Sequence, residues 1–153
     1  MAASTLPDRL EPVSMLRYET DFDAFAQALG GSFRRFGFAV VADHGLDPDL
    51  IAGALESTKA FFALPEAVKR AYHVPGGGGA RGYTPFGVET AKGASAHDLK
   101  EFWHVGRDLP PGHPFSRVMA PNLWPAEIPE FRPRLQALYT ALDELGRRVL
   151  QAI

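Results

Sequence analysis

Five histidines, His44, His73, His97, His104 and His113, are the side chains of this sequence best suited to hold a transition metal. Their spacing contains no His-Glu-x-x-His and no His-x-Asp or His-x-Glu pair. No single helix or strand therefore presents a ready set of ligands. His97 and Asp98 are adjacent, which sends their side chains to opposite faces of a strand. Scattered histidines brought together by the fold are one reading, and ordinary loop histidines are the other. His44, between Asp43 and Gly45, reads as a turn residue hydrogen-bonded to backbone. Cysteine is absent, which removes thiolate ligands, disulfides and a cysteine nucleophile. The serines lack the strand-turn-helix setting of a nucleophile elbow. Gly76 to Gly79 lack the Lys-Ser/Thr that completes a phosphate-binding P-loop, so they read as a hinge or lid. Arg81 and Tyr83, beside that loop, could clamp a carboxylate. The plainer alternative is an exposed arginine and a tyrosine packed over the core. Lys100 and Glu101 fall on opposite faces of a strand, one toward a cavity or both in surface ion pairs.

The elements that would position these groups follow from patterning. Hydrophobic residues make up 46% and charged residues 22%, which is globular composition rather than disorder. The 153 residues carry a net charge of -2, so no basic excess exists to meet nucleic acid. No run of about 18 apolar residues could span a membrane. The N-terminus shows no secretory signal, and the cytoplasm is the expected location. Residues 1–12 read as a leader, and residues 13–16 as a short strand. Asp21 is a plausible N-cap for a helix whose buried face is Phe22, Phe25, Ala26, Leu29, Phe33 and Phe36, ended by Gly37. Phe38 to Ala42 read as a buried strand. Asp47 caps the next helix with Pro48 at its first position, and Leu64 to Arg70 restart as a short helix at Pro65. Residues 74–96 form a long glycine-rich loop. Leu99 to Val105 read as a strand with Leu99, Glu101, Trp103 and Val105 on one side, and the proline-rich residues 107–129 as irregular. Within 129–153 a long amphipathic helix carries Phe131, Leu135, Leu138, Tyr139, Leu142, Leu145, Val149, Leu150 and Ile153 on one face. That stripe runs to the last residue without a cap, and the strands are too few to bury a sheet. Both suggest that further protein continues past Ile153, and that the isolated chain would be poorly soluble or oligomeric.

Several segments together resemble the N-terminal region of the isopenicillin N synthase-like non-haem iron oxygenases. Phe33-Arg34-Arg35-Phe36-Gly37-Phe38-Ala39-Val40-Val41-Ala42-Asp43-His44-Gly45-Leu46 is similar to the family's aromatic-Gly-Phe, apolar strand and Asn-His-Gly signature, with Asp43 in place of Asn. Phe61-Phe62-Ala63-Leu64-Pro65-Glu66-Ala67-Val68-Lys69 resembles its Phe-Phe, Leu-Pro, Glu, Lys junction. Arg81-Gly82-Tyr83, then Asp98-Leu99-Lys100-Glu101-Phe102, resemble its Gly-Tyr and Lys-Glu stretch, and Asn122-Leu123-Trp124-Pro125 precede the long helix. These pieces cover most of residues 11–153, within an oxygenase N-terminal region of 13–128.

The resemblance implies an α+β fold: N-terminal helices and strands that flank and extend a double-stranded β-helix, or jelly roll, whose core lies beyond residue 153. It implies iron(II) and 2-oxoglutarate as cofactors, bound by a His-x-Asp, a distal His and an Arg-x-Ser beyond Ile153. No residue of this chain matches an iron ligand, so no catalytic or metal residue is assigned, and the chain alone is expected to be inactive. The part implied for this half is scaffold and a portion of a small-molecule substrate pocket. Arg81, Tyr83 and Phe86 on the loop, and Phe102 and His104 on the strand, are the candidates. The remainder of its own polypeptide would be its partner. Two alternatives are a non-catalytic ligand- or partner-binding module derived from that family and a small histidine-based metal binder.

Overall fold

Asp21 shows how local chemistry sets the first helices. Its carboxylate accepts the Ala24 N–H at 3.0 Å and caps the N-terminus of α2, Phe22–Phe36, directly after the short α1, Leu16–Thr20. Gly37 ends α2 in the left-handed conformation, φ +80°, with its N–H on the Phe33 carbonyl. The computed structural model describes residues 9–90, 92–93 and 95–153. The first eight residues of the expected leader, and positions 91 and 94 of the glycine-rich loop, lie outside the described residues. The chain divides into two compact units, Met1–Ile51 with Leu138–Ile153, and Ala52–Ala137.

In the first unit, β1 (Val13–Ser14) pairs in parallel with β2 (Val41–Ala42), Val13 opposite Val41. Val13, Met15, Phe25 and Leu29 are buried together, with Leu145 and Val149 packed against them. The buried strand expected over residues 38–42 is shorter: only Val41 and Ala42 pair, and Phe38 and Val40 are exposed. A two-residue partner can hold only a two-residue ladder. Phe22 and Phe33, placed on the buried face of α2 by spacing, are also exposed. His44 is a turn residue, as its neighbours suggested, its Nδ1 accepting the Leu46 N–H at 3.1 Å. Asp47 caps α3 (Pro48–Phe62) through the Asp49 N–H at 2.9 Å.

The second unit is built around Phe61, Tyr83 and Phe131, all fully buried, with Tyr72, Trp103 and Trp124 packed on them. The rings meet edge to face, Phe61 and Trp103 at 4.6 Å between centroids. After α3 comes α4, Glu66–Arg70, then β3 (Gly82–Thr84) antiparallel to β4 (Phe102–His104). The opposed pairs are Gly82 with His104, Tyr83 with Trp103, and Thr84 with Phe102. His73 bridges to the other edge of β3 at Tyr83. β4 is shorter than the strand expected over 99–105, and Leu99 is 94% exposed. Pairing stops where β3 stops, so the alternation of sides holds for Glu101 and Trp103 but not for Leu99.

The irregular segment contains one short turn of helix at Pro114–Arg117. Asn122 ties it down: its Oδ1 accepts the Gly106 N–H and its Nδ2 donates to the Gly106 carbonyl, each at 2.8 Å. The long helix α5 runs over Phe131–Gln151, yet its stripe is not uniformly covered. Phe131 is buried, while Leu150 and Ile153 are 69% and 76% exposed. No helix among the described residues is long and apolar enough to cross a membrane.

Gly82 is the tightest point of the ribbon. Its φ is +70°, and a Cβ there would lie 2.6 Å from the Tyr72 carbonyl oxygen and 2.8 Å from Leu123 Cδ1. The backbone conformation alone costs a non-glycine residue about 1–2 kcal/mol, and a clash with main chain cannot be relieved by a rotamer change. Gly82→Ala is expected to lower stability by more than that and to loosen the pairing of β3 with His73. Amide hydrogen exchange at Tyr83, whose N–H donates to the Tyr72 carbonyl at 3.1 Å, reports it.

Candidate functional site

Residues opposed in an antiparallel pair point to the same face. Tyr83 and Trp103 therefore look into the aromatic core, while Gly82, Thr84, Phe102 and His104 share the outer face of the ribbon.

The inner face is locked by charge. Lys69, on α4, is buried, and its Nζ lies 2.7 Å from Glu101 Oε2 and 3.4 Å from Glu66 Oε2. The Tyr83 hydroxyl donates to the same Glu101 oxygen at 2.6 Å and lies 3.3 Å from Glu66. Burial pushes the Glu101 carboxyl upward, but the hydrogen bonds from Lys69 and Tyr83 outweigh it and hold the group below the usual carboxylate range. The hydrogen bond to Glu101 raises Lys69 against the opposing effect of burial. Burial first, and then the Glu101 contact, drive the Tyr83 hydroxyl far above its ordinary value. Tyr83 is thus a fixed donor. Nearby, the Tyr72 hydroxyl donates to Glu127 at 2.7 Å and accepts the Ala126 N–H at 2.9 Å.

On the outer face Gly82 and Thr84 of β3 are covered, while Phe102 is half-buried and His104 exposed on β4. The rings of Phe102 and His104 lie 4.7 Å apart, and His104 Nδ1 is hydrogen-bonded to the Gly79 carbonyl. A cavity of about 290 Å³ lies under the glycine loop, with His73, Gly79, Thr84, Val88 and Phe102 in its wall. A groove of about 460 Å³ borders β4, with Phe62, Trp103, His104, Phe131 and Leu135 along it. Phe102 contributes to both.

The candidates picked out from sequence are thus divided. Phe102 and His104 stand together on the outer face. Tyr83 is turned to the opposite face with its hydroxyl engaged. The Arg81 guanidinium lies against Gly106, donating from Nε to the Ala120 carbonyl at 3.0 Å and from one terminal nitrogen to the Ala80 carbonyl at 2.6 Å. Phe86 is 50% exposed on the loop. Of the Lys100 and Glu101 pair, Glu101 turns inward, while Lys100 makes exposed ion pairs with Glu89 at 2.6 Å and Asp98 at 3.3 Å. Spacing does not single out Lys69 or Thr84. The available signals are the Glu66-x-x-Lys69 spacing, one helical turn, and the shared parity of Thr84 with Gly82 on β3.

Among the described residues no group of three or more His, Asp or Glu is placed to hold a metal ion. The described side chains therefore do not fit an iron centre.

Comparison with known proteins matches this architecture. The family described as the N-terminal region of non-haem dioxygenases, named for morphine synthesis, matches residues 11–127. A 2-oxoglutarate-dependent dioxygenase, caaD, of Aspergillus niger is 33% identical over 119 residues, covering 76% of this chain and 37% of that protein. The validamycin A dioxygenase of Streptomyces hygroscopicus subsp. limoneus is 33% identical over 135 residues, covering 85% and 37%. Among solved structures, a 2OG-Fe(II) oxygenase family protein from Caulobacter crescentus superposes with a TM-score of 0.85 at 57% identity, over 96% of this chain and 48% of that one. A full-length protein of Neurospora crassa, solved in complex with alpha-KG, gives 0.75 at 25% identity, over 94% and 46%. The chain spans less than half the length of each of these relatives.

Proposed function

Because this chain belongs to the non-haem dioxygenase N-terminal family, we propose that the protein carrying it is an iron(II)- and 2-oxoglutarate-dependent dioxygenase that oxidises a small organic molecule. The match over residues 11–127, with relatives that are themselves 2-oxoglutarate-dependent dioxygenases, carries this reading. Iron and 2-oxoglutarate are held by residues outside this chain, and when bound they supply the oxidising chemistry. The residues described here bind and orient. Phe102 and His104 offer an aromatic wall to substrate, and the Lys69–Glu101–Tyr83 lock behind the ribbon keeps that wall in place. The outer edge of β4 pairs with no strand among the described residues, and the groove beside it is lined by Phe62, Trp103, Phe131 and Leu135. A jelly-roll strand of the longer protein fits that edge.

The test is succinate release by the full-length protein with iron(II) and 2-oxoglutarate, beginning with validamycin A, for which one relative is named. The 153-residue segment by itself is expected to release none. In the full-length protein, Phe102→Ala and His104→Ala are expected to raise KM for substrate while substrate-free 2-oxoglutarate turnover persists. Absence of any iron-dependent turnover in the full-length protein would reject the reading in favour of a binding module.

A further inference from the structure

Thr84 carries a buried hydroxyl that no described residue satisfies. The residue is 2% exposed, and its Oγ1 has no hydrogen-bond partner among the described residues. Buried polar groups are nearly always paired, so an unpaired one asks what completes it. Thr84 stands on the outer face opposite Phe102 and forms part of the wall of the cavity under the glycine loop. Gly79 closes that space. A Cβ on Gly79 would come within 3.1 Å of Thr84 Oγ1 and 3.3 Å of the Phe102 ring, at a φ of +69°. Glycine at this point keeps room above both groups.

The lining also sets the charge of what enters. Among the described residues it contains no lysine or arginine, and its one carboxylate, Glu89, is already paired with Lys100 at 2.6 Å. His73 Nδ1 is held at the Tyr83 carbonyl, 3.1 Å away. Lys100, whose Nζ also stands 5.5 Å from the Phe102 ring centroid, neutralises Glu89 there, so the described wall offers an anion no uncommitted cation. Phe102, Val74 and Val88 supply flat and aliphatic surface. At about 290 Å³ the space is at the small end of ligand pockets, roughly 300–1,000 Å³.

We propose that this cavity binds a neutral ring compound bearing a hydroxyl group, with the ring on Phe102 and the hydroxyl on Thr84 Oγ1. The proposal rests on reading the outer face as the substrate wall and names the class of group that part of the wall receives. Its consequence is selectivity. A site built around a buried hydroxyl rejects an analogue that cannot pair with it, because the hydroxyl is then left unsatisfied.

The test uses phenol, toluene and benzoate as probes of the full-length protein, read from the methyl NMR signals of Thr84, Val74 and Val88. Phenol is expected to shift these signals at millimolar concentration and to bind about three- to tenfold more tightly than toluene, the worth of one hydrogen bond. Benzoate is expected to bind more weakly than phenol. Thr84→Val should erase the preference for phenol over toluene and leave toluene affinity unchanged. It should also raise the thermal midpoint of the free protein, since an unpaired buried hydroxyl is removed. Thr84→Ser should keep the preference. No shift at these methyls with phenol, benzoate binding more tightly than phenol, or a phenol preference that survives Thr84→Val would each overturn the proposal. None of these readouts needs turnover. A protein that releases succinate but ignores phenol rejects only this inference, and one that binds phenol without turnover rejects only the dioxygenase reading.

Discussion

Lys69→Met is expected to lower the stability of the protein by about 3 kcal/mol, because it leaves the Glu101 carboxylate half-buried without its cation. Removing one partner of a buried pair costs about 3–5 kcal/mol. The low end applies here, because Glu101 retains some solvent contact, 17% of its side chain against 8% for Lys69, and still accepts the Tyr83 hydroxyl. Replacing both partners by apolar residues, Lys69→Met with Glu101→Leu, should cost far less than the sum of the two single changes. The desolvation penalty disappears with the charges. Urea denaturation followed by tryptophan fluorescence measures this well, since both tryptophans, Trp103 and Trp124, sit in the aromatic cluster of this unit. Purely additive losses would mean that the pair is not coupled.

The same pair sets a pH signature. The Glu101 carboxyl is held below its ordinary 4.5 in the folded state. Its contribution is therefore fully present above about 4.5 and is lost as pH falls through the lower, folded value. Lys69 is raised above its ordinary 10.5, so its contribution is present below 10.5 and lost as pH rises through the folded value. A plateau between those limits follows, with losses outside it at both ends. Glu101→Gln should flatten the acid limb relative to the unaltered protein. Equal acid limbs in the two proteins would show that Glu101 is not the group responsible.

Phe61→Ala is the larger perturbation, expected to cost about 4–5 kcal/mol. The side chain is fully buried, and its ring lies within 4.6–6.1 Å of five other aromatic rings: Phe62, Tyr72, Tyr83, Trp103 and Phe131. A large-to-small change in a core loses both the transfer free energy and the contacts around the cavity left behind, about 3–5 kcal/mol for Phe→Ala. The edge-to-face pairs move this case to the upper end. Because Trp103 is the nearest of these rings, its near-ultraviolet circular dichroism should change together with the loss of stability. Phe86→Ala, at an exposed aromatic, should stay within about 0.5 kcal/mol. Comparable losses at Phe61 and Phe86 would contradict the buried-core assignment.

The contrast between those two phenylalanines shows where sequence reading ends. Position along the chain separates them, Phe61 inside α3 and Phe86 between Pro85 and Gly87, but it does not reveal the five rings that Phe61 meets. What the sequence by itself determined is local. Asp21 caps α2, Gly37 ends it, Asp47 and Pro48 start α3, and His44 closes a turn, because each of these interactions reaches only a few residues along the chain. The motif series from Phe33 to Trp124 was legible for a related reason. Strong backbone demands, such as the left-handed glycines at 37, 45 and 82, leave few residue types that can serve.

The tertiary structure alone decided what each element faces. Lys69 and Glu101 are 32 residues apart, and Tyr83 and Glu101 are 18 apart. No periodicity couples positions at such distances. Strand lengths are not legible in apolar runs because a ladder is only as long as its partner, two residues for β1 and three for β3. The face of the ribbon was likewise a matter of partners. Alternation says that Tyr83 and Thr84 point opposite ways, but only the packing of Phe61, Phe131 and Trp103 puts the tyrosine inside. That packing leaves the threonine hydroxyl under Gly79, beside Phe102.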